Sequence, residues 1–290
     1  MKKMTAGVIG LLFMLFSCNS RDTVVNRDHL LGYDYRLFQG TPAWDLAKAV
    51  EDSDTSHIIS IVTKNKVLLE AREPKFGQTL LQMAVKTLKF QSVKALVSLG
   101  GDPNNQDKYD GSSPLMEAAE ILLDDEGQYG SNPKYLKLLL AHGGDPNAEE
   151  KGVRRRGNST RYTPLLKACS SGRLDYVKLL VSAGANVNYT NEYEMSPLKS
   201  AVMFSRSPDM VIYLIDKGAD YKRVLMNAMG GRTLYITDLM RDWVYDLGSD
   251  DYKKKMQLVD FLKKNGMDYR KTKIPEQYLD EYPKKYLEQY

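Results

Sequence analysis

Histidine and cysteine are nearly missing from this chain. Its 290 residues hold three histidines, His29, His57 and His142, and two cysteines, Cys18 and Cys169. No two histidines stand at metal-ligand spacing, and neither H-E-x-x-H nor C-x-x-C occurs, so the sequence offers no metal centre. It also lacks a G-x-S-x-G nucleophile elbow and a phosphate-binding P-loop. Gly230-Gly231 reads as a turn, and the acidic pairs Asp124-Asp125 and Asp250-Asp251 read as loops. The expectation is a chain that is not an enzyme, with no catalytic residue, no metal and no cofactor. Excess charge of one sign is missing too. The 41 basic and 37 acidic residues leave a net charge of +4, too balanced to argue for nucleic acid. Phenylalanine is sparse at 7, whereas tyrosine reaches 19. Tyrosine is half apolar and half polar, which suits a binding surface.

Long apolar runs are confined to residues 6–16, AGVIGLLFMLF, behind Lys2 and Lys3. A basic start followed by a short apolar stretch reads as a signal peptide, since the run is too short to span a bilayer comfortably. Leu15-Phe16-Ser17-Cys18 resembles a bacterial lipobox, which implies a signal peptide over 1–17 and lipidation of Cys18. Phe16 is bulkier than the residue usual at that place, and a plain signal peptide with an incidental cysteine is the alternative. Cleavage ahead of Cys18 would remove two lysines and no acid, lowering the net charge from +4 to +2. Cys169 would then be the remaining cysteine, without a partner for an intramolecular disulfide. Residues 18–40 read as a tether, with the membrane reached through the lipid alone. Asn19 is not the aspartate associated with inner-membrane retention. By that resemblance the chain is lipid-anchored in the outer membrane, facing the periplasm.

Beyond the tether the sequence repeats itself. RYTPLLKACSSGRLDYVKLLVSAGANVN (161–188) is echoed by EMSPLKSAVMFSRSPDMVIYLIDKGAD (194–220). SSPLMEAA with YLKLLLAHGGDPN, and QTLLQMAV with SVKALVSLGGDPN, follow the same plan. These segments resemble the ankyrin repeat, most closely at Thr163-Pro164-Leu165 and the Gly184-Ala185-Asn186 turn. The resemblance implies an all-α solenoid of about six helix-pair units with finger loops and degenerate caps. The array would cover 41–270, with a C-terminal helical cap over 271–290. Unit starts fall at Thr41, Thr79, Ser113, Thr163, Ser196 and Thr233, with spacings of 38, 34, 50, 33 and 37 residues.

The residues carry physical reasons of their own. Thr or Ser caps the first helix of each unit, and proline at the first helical position loses no hydrogen bond. Small residues such as Ala118, Ala119, Ala168 and Cys169 let units approach closely. Cys169 therefore reads as a buried packing residue rather than a reactive one. Val177, Leu179, Leu180 and Val181 form the apolar stripe of a second helix, which Gly184 ends. His142 stands where it can face the last carbonyls of its helix.

The long spacing of 50 has two sources. Nine extra residues lie around 124–133, between the helices of the third unit, and eight lie in the next finger, around 149–161. The first insertion is acidic and reads as solvated surface. The second carries Lys151, Arg154, Arg155, Arg156 and Arg161. It reads either as an arm for an acidic partner or anionic headgroups, or as a loop tolerant of length.

The family resemblance implies a concave protein-binding face. On this chain it maps to Tyr109, Ser112, Glu120, Tyr162, Ser170, Tyr193, Met195 and Met203, with Arg154, Arg155 and Arg156 on the arm. Packing between units is the alternative for some of these. At the C-terminal end, Tyr278, Leu279, Tyr282, Tyr286 and Leu287 read as a cap first and a docking peptide second. The expected function is a monomeric envelope lipoprotein that binds another protein, as a periplasmic immunity protein. The alternative is a structural scaffold on anionic lipid or cell wall. Nucleic acid is not an expected partner.

Overall fold

The computed structural model describes residues 21–124, 127–152, 161–228 and 231–290. Residues 1–20, with Cys18, and Arg154, Arg155 and Arg156 lie outside the described residues. The array begins with α1 (Trp44–Glu51) and α2 (Thr55–Lys64). Three further pairs follow: α3 (Leu80–Lys86) with α4 (Phe90–Ser98), α5 (Pro114–Ala118) with α6 (Lys134–Ala141), and α7 (Pro164–Ser170) with α8 (Leu174–Ser182). The fifth unit pairs α9 (Pro197–Ser200), prolonged by a π turn over Ala201–Ser205, with α10 (Pro208–Asp216). The sixth pairs α11 (Ile236–Leu239) with α12 (Asp250–Lys264). First helices pack on first helices and second on second, giving two layers that run the length of the array. The all-α solenoid and its six units stand as expected.

The capping logic holds in the middle of the array. Thr79, Ser113, Thr163 and Ser196 accept from the backbone N–H three residues on, at 3.2, 3.3, 3.3 and 3.2 Å. At the ends it shifts. Thr41 caps a turn ahead of the helix, its Oγ1 accepting from Ala43 N at 3.2 Å. Thr233 lies in a two-residue strand, β2 (Thr233–Leu234), paired with β1 (Met226–Asn227), and α11 starts only after Tyr235. The last finger is thus a small hairpin, which the repeat pattern did not foretell.

Units are stitched by asparagines recurring at one place. Asn104 Nδ2 donates to Gly143 O at 2.9 Å, while Asp145 N donates to Asn104 Oδ1 at 2.7 Å. Asn147 does the same to Gly184 O and Asn186 N at 3.0 and 2.8 Å. Asn188 repeats it to Gly218 O and Asp220 N at 2.9 Å each. Each amide satisfies a carbonyl at a helix end that would otherwise lack a partner. Between the layers lies one apolar core, including Leu115, Ala118, Leu165, Ala168, Cys169, Val177 and Leu180. Cys169 is fully enclosed, and burial pushes its thiol well above the usual range, so it is a packing residue. His142 Nδ1 lies 2.8 Å from Leu138 O at the end of α6.

Three segments depart from the expectations. Residues 30–40, read as part of a free tether, are seated on the first unit, with Leu30, Tyr35, Leu37 and Phe38 buried. Tyr35 Oη also reaches Thr87 Oγ1 of the second unit at 2.8 Å. Burial of apolar side chains outweighs the chain entropy of a leash here. The acidic insertion is tied down rather than simply solvated. Arg173 reaches the carbonyls of Leu122 and Gly130, and Asn132 N donates to Tyr176 Oη at 2.9 Å. Asp125 and Glu126 lie outside the described residues. In the cap, α13 (Glu276–Glu281) and α14 (Lys284–Leu287) follow Pro275 and Pro283, but Leu279 stays half exposed. The residue sealed in is Tyr290, its ring 3.8 Å from Lys255 Nζ. Arg241 beneath it donates to the carbonyls of Tyr290, Tyr269 and Thr272 at 2.8, 3.0 and 2.9 Å.

Candidate functional site

The face made by the fingers and first helices is built from inside. Each middle finger folds around one acidic or amide side chain. Glu73 accepts from the backbone N–H of Lys75, Phe76 and Gln78 at 2.7 to 3.0 Å. Asp107 Oδ1 accepts from Tyr109, Asp110 and Gly111 at 2.8 to 3.1 Å. Asn191 Oδ1 accepts from Tyr193 and Met195 at 3.0 and 2.9 Å. The neck of the basic arm is fixed as well. Glu150 N donates to Tyr162 O at 3.0 Å, Tyr162 N returns to Glu150 Oε2 at 3.1 Å, and Gln106 Nε2 donates to Glu149 O at 2.6 Å. Gly111 and Gly152 meet so closely that a Cβ on either would fall inside the other's backbone. One side chain bonded to several backbone groups holds a loop rigid without secondary structure, most strongly where it is a carboxylate, as at Glu73, Asp107 and Glu150.

Along the first helices a diagonal recurs. It joins the residue seven after one cap to the residue four after the next cap. Lys86 pairs with Glu117 at 3.2 Å, Glu120 with Lys167 at 3.1 Å, and Ser170 Oγ meets Ser200 Oγ at 3.4 Å. Lys167 also holds Glu150 at 2.9 Å, tying the arm's neck to the helix row. Burial alone would push the Lys167 ammonium down, but Glu120 and Glu150 hold it well above its ordinary value. Burial raises the Glu150 carboxyl, with Lys167 opposing, and raises Asp110, with Asp107 adding to the effect. An open depression beside Lys86, Glu117 and Glu120 is walled by Val85, Leu88 and Ile121. Among the described residues no group of three or more His, Cys, Asp or Glu could hold a metal ion. None of the helices among them is long and apolar enough to cross a membrane.

The residues mapped from the sequence divide. Tyr193 is about half exposed at a finger tip, with Met195 and Tyr162 half buried on the same row of fingers. Glu120 is exposed but engaged by Lys167, whose ammonium also lies 5.5 Å from the Tyr162 ring centre. Ser170 is half buried on the diagonal, and Met203 packs partly into the core. Tyr109 stands edge-on to Phe76 of the preceding finger, 5.4 Å between ring centres, so it braces two fingers. Ser112 is a correction to any surface role. It is buried, and its carbonyl accepts from Gln82 Nε2 at 3.1 Å, because the finger must turn inward to join α5.

Sequence reasoning missed Lys167, Glu150, Glu117 and Lys86, whose signal lies in the two columns that form the diagonal. It also missed Lys199. The third residue after each cap is enclosed: Gln82, Met116, Leu166 and then Lys199, only 6% exposed. A lysine in a column otherwise apolar or amide was visible in the sequence. Phe204, exposed at the end of the π turn, was missed as well.

The comparisons agree with this architecture. The family model for ankyrin repeats (3 copies) matches residues 126–224. Protein PhlB of Serratia liquefaciens is 34% identical over 181 residues, covering 62% of this chain and 70% of that protein. The alpha-latrocrustotoxin-Lt1a of Latrodectus tredecimguttatus is 32% identical over 152 residues, 52% of this chain and 9% of the toxin. The B-cell lymphoma 3 protein homolog of Mus musculus is 30% identical over 144 residues, 50% of this chain and 28% of that protein.

Proposed function

The chain belongs to the ankyrin-repeat family, and from that premise we propose that it is a non-catalytic lipoprotein of a bacterial envelope that binds another protein. The bound protein lies across the fingers and first helices. The observation carrying this reading is the set of fingers, each braced by an acid or amide side chain, that hold Tyr162, Tyr193 and Met195 in one row. Rigid aromatic anchors on a preorganised scaffold suit protein recognition, because little entropy is lost on binding. The row of paired charges from Lys86 to Lys167 adds polar complementarity.

The envelope part of the proposal rests on Leu15-Phe16-Ser17-Cys18, with Cys18 as the lipidated residue and the periplasmic face of the outer membrane as the place. Similarity to a Serratia protein is in keeping with a bacterial setting. Within that setting the role proposed is immunity: the array sequesters a toxin delivered from outside the cell. That last step rests on analogy of fold and place.

Two experiments test the parts separately. Cys18→Ser should move the protein from the membrane to the soluble fraction while its circular dichroism stays that of a folded array. If the protein stays with the membrane, the anchor is refuted. Co-expression with a toxin encoded beside its gene should restore growth. Growth left unrescued, with the toxin still bound by the purified array, would remove immunity and leave binding.

A further inference from the structure

The array contains two buried lysines on its binding face, and it treats them differently. Lys167 on α7 is 8% exposed and lies between two carboxylates, Glu120 at 3.1 Å and Glu150 at 2.9 Å. Lys199 on α9 is buried to the same degree, but its ammonium has neither an ion-pair partner nor a hydrogen-bond acceptor among the described residues. Glu194 on the preceding finger acts on it only from beyond ion-pair distance, and Arg223 opposes it. Its ammonium is nonetheless not among the enclosed polar atoms, so it still meets the surface. Earlier units fill this place with Met116 and Leu166, which need no partner, or with Gln82, whose Nε2 donates to Asp107 at 2.8 Å and Glu117 at 3.2 Å. A cation on so enclosed a side chain, without a counter-charge, is costly, and an apolar residue there would relieve the cost. Burial accordingly pushes the Lys199 ammonium below its ordinary value.

The surroundings carry the apolar side of an interface. Met195 stands four residues before Lys199 on the finger, Met203 four after it on the same helix, and Tyr193 and Phe204 are about half exposed. Resting on the reading that this face binds protein, we propose that Lys199 anchors the partner by receiving an aspartate or glutamate carboxylate, with flanking apolar residues laid on Tyr193, Met195 and Met203. The partner supplies to Lys199 what Glu120 and Glu150 supply to Lys167.

The test pans the full chain against a randomised peptide library displayed on phage. The expected binders carry an acidic residue beside apolar ones. Lys199→Met, copying Met116, should weaken a synthetic binder by roughly thirtyfold or more. Replacing the peptide's carboxylate by its amide should weaken it similarly, and the two changes together should cost little beyond either alone. Lys199→Gln, copying Gln82, is the second variant should the methionine protein misfold. Binders that protect Tyr193 and Met195 from hydrogen exchange, yet hold Lys199→Met as tightly as the parent, overturn the anchor and leave the face. Binders that protect only the second helices overturn both. A library that yields no carboxylate-dependent binder overturns the anchor as well.

Discussion

Replacing Lys167 by Met probes the charge row where it is most enclosed. The lysine side chain is 9% exposed, and it sits 2.9 Å from a Glu150 carboxylate that is itself only 11% exposed. Its other partner, Glu120 at 3.1 Å, is 43% exposed and can be rehydrated when the lysine is gone. Removing one member of a buried pair costs about 3–5 kcal/mol. Because one of the two acids regains water, the loss should fall at or somewhat below the lower end, about 2–3 kcal/mol around neutral pH. The acid left behind sets the pH dependence. Burial already raises the Glu150 carboxyl, and losing Lys167 raises it further. A carboxyl whose folded-state pKa lies above its unfolded value takes up a proton on folding, so the variant regains stability as pH falls. The deficit should therefore be full at about pH 7 and much smaller at about pH 4.5. Adding Glu150→Gln to Lys167→Met should recover part of the loss at neutral pH, since a neutral amide needs no counter-charge. Urea denaturation followed by circular dichroism at the two pH values measures this. An equal deficit at both, or none, would refute the account of the buried pair.

Three further outcomes follow from the same structure. Burial, with Arg241 and Arg270 adding, pushes the Lys255 ammonium down to about 6. The unfolded chain then binds the extra proton between about 6 and 10, so stability should rise with pH across that window. Lys255→Met should flatten the rise and increase the melting temperature near pH 7. Asn147→Ala removes amide bonds of 3.0 and 2.8 Å across units and should cost about 1–3 kcal/mol in urea denaturation. Gly111→Ala places a methyl against the backbone of Lys151 and Gly152 at a φ of +74°, so it should free the arm's neck. Faster hydrogen exchange at Glu150 and Tyr162, with Leu165 and Leu180 still protected, would show it.

The parts of this fold that were legible in the sequence are those that repeat. Thr79, Ser113, Thr163 and Ser196 each cap a helix because the same local hydrogen bond recurs, and the position of Cys169 followed from the same register. Asn104, Asn147 and Asn188 were visible as a periodic residue, although their cross-unit bonds were not read from it. What escaped is what happens once. Leu30 to Phe38 matches no unit, so its burial against α1 and the second unit has no periodic signal. Tyr290 covers Lys255 through a tertiary contact, without a local pattern to announce it. The diagonal of Lys86, Glu117, Glu120 and Lys167 joins residues about one repeat apart. The two insertions between Ser113 and Thr163 hide it until the caps are aligned. Ser112 was placed on the surface because fingers usually are, but the turn into α5 folds it inward. The candidate face was thus legible in its geometry, with Tyr162, Tyr193 and Met195 on one row of fingers, but its charge arrangement was not.

The central claim is that this array binds a protein partner through its fingers and first helices. The most direct measurement is hydrogen exchange of the full chain with and without a protein that it captures from extracts of the cells that make it. Protection should fall on the fingers around Tyr109, Tyr162, Tyr193 and Met195 and on α5, α7 and α9. Protection confined to the second helices α4, α6 and α8, with the fingers exchanging as in the free chain, would contradict it.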